Sequence, residues 1–195
     1  MATTEQVKKL RDETGVSIMQ CKKALEEAKD DMEKAKIVLQ KKGGDIAAKK
    51  SDRTLGSGSV ACYIHANGSV GAMVELSCET DFVSGNEEFK TLARDLAMQV
   101  TASNPEFVKK EDITAEARAK VAEVFAAEVA NKPEAMREKI LQGKLDAYFA
   151  DKILLEQDYI KNPDLKIRNL VETAVQKFGE KIEIARFARF SVLGK

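Results

Sequence analysis

Histidine occurs once and cysteine three times in 195 residues. A structural zinc site needs about four nitrogen or sulfur ligands and a catalytic one about three, so no metal centre is expected. The odd cysteine count, with no apolar leader segment at the start, fits a reduced cytoplasmic protein without a disulfide framework. No apolar run approaches the ~20 residues that span a bilayer, so no membrane partner is expected. Net charge is missing too, because 32 Lys and Arg balance 32 Asp and Glu. A nucleic-acid footprint needs a basic excess, which argues against direct nucleic-acid binding. Phosphate-cradling motifs are also absent. There is no GxxxxGK[ST] loop, and Gly56-Ser57-Gly58-Ser59 lacks the lysine and helix that a phosphate loop requires. No cofactor is expected. His65 falls two residues before a turn and reads as a surface residue rather than a catalytic base. Cys21, Cys62 and Cys78 are expected to be buried apolar fillers, and no covalent chemistry is expected.

What remains is a chain that switches period. Residues 1–42 read as a three-helix bundle. Thr3 with Gln6 is a capping box and Thr14-Gly15 a stop; Ser17 starts a second helix with Ile18, Cys21 and Leu25 on one stripe; Asp31 starts a third, which Gly43-Gly44 ends. So small a bundle is marginal alone and needs something larger beside it. Residues 43–59 are Gly-, Ser- and Lys-rich and read as a linker, a solvated tether with a stretch around Ile46–Lys50 that can be helical. Period two follows. Val60, Cys62 and Ile64 alternate with Ala61, Tyr63 and His65, Asn67-Gly68 makes a hairpin turn, and Val70, Ala72, Val74, Leu76 and Cys78 share one face of the return strand.

Helical spacing then resumes. Ser84 and Glu87 are spaced as a capping box before the stripe Phe89, Leu92, Leu96, Val100. Two helices broken at Asn131-Lys132-Pro133 form an antiparallel hairpin over 114–150 that extends as an arm. Leu154–Ile160 is irregular, a helix runs from Asp164 to Phe178, and the alternating KIEIARFARF at 181–190 closes the chain as a strand. The expected class is α+β, with residues 60–195 as an antiparallel sheet packed with helices and the hairpin inserted into it.

The even charge total hides a contrast. Residues 60–89 carry five acids, Glu75, Glu79, Asp81, Glu87 and Glu88, and no lysine or arginine. Such a stretch suits a cation or a basic surface. Asp81-Phe82 falls at the strand-to-helix junction inside it. Phe82 has two readings: a hydrophobic staple tucked beside Phe89, or an exposed aromatic anchor flanked by a carboxylate. Periodicity does not choose between them. Met19 stands one position round from the apolar stripe and faces outward beside Lys22 and Lys23, as a partner contact or as an ordinary exposed side chain.

Four ordered segments go further. LRDETGVSIMQCKKAL at 10–25, VELSCETDFV at 74–83, AMQVTASNPEFV at 97–108 and the Arg-Phe-x-Arg-Phe of 186–190 resemble the signatures of the bacterial elongation factor Ts family. The resemblance implies a guanine nucleotide exchange factor for elongation factor Tu, engaging its GDP-bound and nucleotide-free forms. It implies a ubiquitin-associated (UBA-like) bundle at the N-terminus, an α+β core and a coiled-coil hairpin. Thr80, Asp81, Phe82 and Val83 would then displace the partner's magnesium ion, with Phe82 as the wedge and Thr80 and Val83 holding the turn. Lys8, Arg11, Ile18 and Met19 would dock the bundle on the GTPase. A core contact falls at Gln99, where some members carry a histidine; glutamine keeps the hydrogen bonds but not the charge. Long members carry two related core halves, whereas this chain has material for about one. It is therefore expected to be a short form that pairs as a homodimer. Two rivals stand beside this reading. One is a non-exchanging interaction module with Phe82 as a core staple, and the other a small hydrolase or transferase using Cys78 with Glu79 or Asp81.

Overall fold

Thr3, Ser17 and Asp31 each accept a hydrogen bond from the first turn of a helix, which satisfies donors that have no partner inside the helix. In the computed structural model, which describes residues 2–130, 133–192 and 194, the helices are α1 (Thr4–Thr14), α2 (Ile18–Glu27), α3 (Met32–Lys49), α4 (Asp81–Ser84), α5 (Glu87–Ser103), α6 (Ala115–Val129), α7 (Glu134–Ala150) and α8 (Ile167–Phe178). The strands are β1 (Ser57–Ile64), β2 (Val70–Cys78), β3 (Asp158–Tyr159), β4 (Asn162–Lys166) and β5 (Ile182–Ser191). The class is α+β, with an antiparallel sheet in the order β1-β2-β5. Asn131 and Lys132, part of the expected hairpin break, lie outside the described residues.

Helices α1 to α3 close a small core of their own around Leu10, Val16, Cys21, Leu25, Ala35 and Leu39. α3 does not stop at Gly43-Gly44, where the composition suggests a helix end and the start of a linker. It runs on to Lys49 because the glycines face α8. A Cβ on Gly43 would lie 3.3 Å from the Gln176 amide oxygen and 3.4 Å from the Glu172 carbonyl oxygen. The missing side chains let two helices approach closely, and the contact outweighs glycine's cost of about 1 kcal/mol in a helix. Gln176 also donates to the Gln20 side chain at 2.9 Å, tying α8 to α2. The bundle therefore sits against the core.

The β1–β2 hairpin forms as its turn predicts. The Gly68 N–H bonds the His65 carbonyl at 2.7 Å, with Gly68 in the left-handed region at φ 67. Ala72, Val74, Leu76 and Cys78 from β2, with Ile182 and Ile184 from β5, face the main core beside Phe89, Leu96 and Val175. The face of β1 that packs inward carries Ala61 and Tyr63. Val60, Cys62 and Ile64 are exposed instead, so the expectation that Cys62 is buried is corrected. Register decides this, because Cys62 pairs with the outward Met73 and partners across a sheet share a face.

Two further boundaries differ from the sequence expectation. α8 begins at Ile167 rather than Asp164, because residues 162–166 pair as β4 with β3. α5 is capped by Asn86, which accepts from the Glu88 N–H, and not by Ser84. α6 and α7 pack on one another through Phe125 and Tyr148, edge to face with centroids 5.9 Å apart. Their satellite core holds Leu145, Phe149 and Ile153. Among the described residues no helix is long and apolar enough to cross a membrane.

Candidate functional site: the Asp81-Phe82 turn and the bundle surface

The chain leaves β2 at Cys78 and enters α4, a single turn of four residues. So short a helix can seat only one side chain in the core, and that is Val83, which is buried among Phe89 and its neighbours. Phe82 points the other way and is 84% exposed. The staple reading of Phe82 is thereby corrected. Asp81 is exposed beside it. The turn is held at both ends. At its far end the Ser84 and Ser57 hydroxyls lie 2.8 Å apart. At its start the Glu180 carboxylate accepts from the Glu79 and Thr80 N–H groups at 3.1 and 3.0 Å and from the Thr80 hydroxyl at 2.6 Å.

The five acids of the lysine-free stretch are not equivalent. Glu75 pairs with Arg186 at 2.6 Å and Glu87 with Lys90 at 2.8 Å, while Glu88 pairs with Lys177. Glu79 accepts from the Lys181 N–H at 2.6 Å and from Arg53 at 3.1 Å. The Lys181 amide, and then the Arg53 side chain, hold its carboxyl below the ordinary carboxylate range. Among the described residues no cation pairs with Asp81. Arg186, Arg53 and Lys177, from distant parts of the chain, and Lys90, one helical turn on from Glu87, pair with the other four and leave this carboxylate available beside the exposed ring.

Ile18 and Met19 open α2 with 53% and 63% of their surface exposed. Ile18 was expected on the buried stripe. Instead Val16, Cys21, Ala24 and Leu25 fill that core, and Ile18 joins Met19 in an outward apolar pair. Lys8 and Arg11, one turn apart on α1, are exposed as well. These four belong to the bundle and not to the α4 turn, so the candidate residues form two separate surfaces.

Gln99 belongs to neither. It is 1% exposed; its amide nitrogen donates to the Gln157 side chain and the Asp158 carbonyl, and its oxygen accepts from the Ile160 N–H. The amide nitrogen and oxygen are both engaged inside the chain, pinning β3 to α5. The surface contact expected at Gln99 is corrected to this internal one. Cys78 is fully buried, and burial first, then the charge of Glu180, pushes its thiol up. A thiol held away from thiolate is a poor nucleophile, which removes the support for the hydrolase reading. Sequence reasoning missed Arg53, Glu180 and Lys181. No local pattern flags them, because they reach the turn from 26 to 102 residues away.

Fold and site together define an α+β binding protein that presents an Asp-Phe turn from its core and an apolar pair from a helical bundle. The chain belongs to the elongation factor Ts family, whose model, described as Elongation factor TS, matches residues 2–195. The protein named Elongation factor Ts from Carboxydothermus hydrogenoformans is 46% identical over 98% of this chain and 89% of its own length. Those from Thermotoga petrophila and Thermodesulfovibrio yellowstonii are each 46% identical, over 95% and 97% of this chain and 94% and 96% of their own lengths.

Proposed function

We propose that the protein is a guanine nucleotide exchange factor for elongation factor Tu, acting in the cytoplasm during translation elongation. The observation that carries this reading is the α4 turn, where a ring 84% exposed stands over a buried Val83 and beside a carboxylate that no cation among the described residues pairs with. The bundle, taken as UBA-like, docks on the GTPase through Ile18, Met19, Lys8 and Arg11, while the α6–α7 hairpin serves as a coiled-coil arm. Phe82 then wedges into the partner, and Asp81 disturbs the shell around its magnesium ion. Thr80 and Val83 keep the turn in place.

The action is coupling rather than bond-making. A divalent cation in a GTPase bridges phosphate oxygens to protein side chains, so nucleotide and cation hold each other. A wedge that shifts those side chains weakens both, and linkage requires bound GDP to weaken the factor equally. Incoming nucleotide then expels the factor. Release of a fluorescent GDP from elongation factor Tu tests this directly. The unmodified protein should accelerate release, and Asp81→Ala and Phe82→Ala should each lose most of the acceleration; no acceleration by the unmodified protein would sink the proposal. The rival non-exchanging module needs Phe82 as a staple, and its exposure speaks against that.

We also infer a homodimer through the outer face of the β1-β2-β5 sheet. Val60, Ile64, Met73, Phe190 and Val192 leave an apolar surface there, and a second copy of the same face is its self-complementary cover. Light scattering should give twice the chain mass, reduced to one by Ile64→Lys. A monomer that exchanges at full rate would remove this inference.

A further inference from the structure

The turn that presents Phe82 is not held by its own residues. Thr80 stands at the N-cap position of α4 with extended backbone, yet its side chain caps nothing in that helix. An N-cap threonine ordinarily accepts from the first turn. Here the hydroxyl is turned away and donated to Glu180, 100 residues later in the chain. The same carboxylate takes both backbone N–H groups that lead into the turn. Charge-assisted hydrogen bonds of this kind are shorter and stronger than neutral ones.

Glu180 is itself fixed from both sides. Gly179, left-handed at φ 71, ends α8 and swings the chain toward β2. Lys50 donates to the Gly179 carbonyl at 2.7 Å, and the Lys181 ammonium donates to the Ser51 and Arg53 carbonyls at 2.6 and 3.2 Å. Arg53 in turn reaches Glu79, whose carboxylate also accepts from the Lys181 N–H. Glu79 and Glu180 thus each bind the other's strand end, and the exit of α3 is tied into the same node. The segment 179–181 joins the bundle's last helix to the turn that carries Phe82.

We propose that Glu180 is the positioning residue of the Asp81-Phe82 turn, fixing the angle at which the ring is presented relative to the bundle. This rests on the exchange reading of that turn. Two rigidly joined surfaces engage one partner without the loss of freedom that a loose turn would incur on binding. Glu180 acts through Glu79 and Thr80, to which its carboxylate is hydrogen-bonded, and through the residues that follow.

The test combines a double-mutant cycle with amide exchange in the free protein. Glu180→Ala should lower the maximum rate of GDP release from elongation factor Tu by about tenfold, the order expected for losing charge-assisted hydrogen bonds. The concentration of factor giving half the maximum should change little, since the bundle surface is untouched. In a Phe82→Ala background, Glu180→Ala should have almost no further effect on the maximum rate, because interacting residues are non-additive. Equal losses in both backgrounds would overturn the proposal by assigning Glu180 a general structural role. Independently, Glu180→Ala should speed hydrogen exchange at the Glu79 and Thr80 amides by about tenfold or more while leaving Val74 and Leu76 unchanged; unaltered exchange at 79 and 80 would also overturn it. If the unmodified protein fails to accelerate GDP release, the exchange reading falls and the amide measurement still decides the clamp. Glu180→Gln, which keeps the length and one acceptor oxygen, serves both measurements if the alanine variant does not fold.

Discussion

Phe82 and Phe89 stand seven residues apart, each near the start of a helix, and their rings have opposite fates. Phe89 is fully buried, meets Phe178 edge to face with centroids 6.2 Å apart, and joins Leu92 and Leu96 in the main core. Phe82 is almost fully exposed. The difference lies in what anchors each helix. α5 has 17 residues and a continuous apolar stripe, so packing fixes its rotation. α4 has four, and its rotation is set by polar contacts at its ends with Val83 as a single apolar foot. Hydrophobicity of the residue does not decide burial here; the anchor does.

Phe89→Ala tests the larger side of that contrast. Emptying a fully packed phenylalanine site costs about 3–5 kcal/mol, visible as a marked fall in the denaturation midpoint, whereas Phe82→Ala should stay within about 0.5 kcal/mol as an exposed substitution. A comparable loss in both would return Phe82 to the core and break the comparison. Val83→Ala sits between them. It removes two buried carbons, at ~0.8 kcal/mol each plus a cavity cost, and should also slow GDP release because the foot beneath Phe82 shrinks; unchanged release would show that the polar contacts alone hold α4.

The smallest effect is a pH effect confined to α4. Glu79 is held below its ordinary value of 4.5 by the Lys181 amide and Arg53. A depressed carboxyl stabilises the fold above its unfolded value, and that contribution disappears as pH falls through the lowered one. Acidification below 4.5 should therefore loosen residues 79–84 before α5, seen as faster amide exchange there with the Phe89 side chain still packed. Simultaneous loosening of both helices would mean that their anchors do not differ in kind.

Much of the framework was legible. The Thr3, Ser17 and Asp31 caps, the Asn67-Gly68 hairpin and the alternation of β5 all act over a few residues, and all appear where the sequence puts them. Gly43-Gly44 was misread because a glycine pair ends a helix or admits a neighbour, and only the presence of α8 tells which. Ile18 and Cys62 were misplaced for a related reason. Each lies on an element apolar on more than one face, so the period alone names two candidate insides. Gln99 carried a misleading cue from family resemblance, whereas its hydrogen bonds to residues 157–160 lie in a hairpin that the sequence had left as irregular.

By itself, then, the sequence determined the starts of α1, α2 and α3, the Asn67-Gly68 turn, the strand period and, through its ordered motifs, the family. These depend on backbone preferences and side-chain bonds that reach about four residues along the chain. Tertiary structure alone decided which face of β1 turned inward, that α3 would continue across its glycines, and that Phe82 would stand in solvent beside an exposed Asp81. Each of those outcomes depends on a group far along the chain, whether α8 against Gly43 or Glu180 against Thr80, and only folding brings such groups within hydrogen-bonding or van der Waals range.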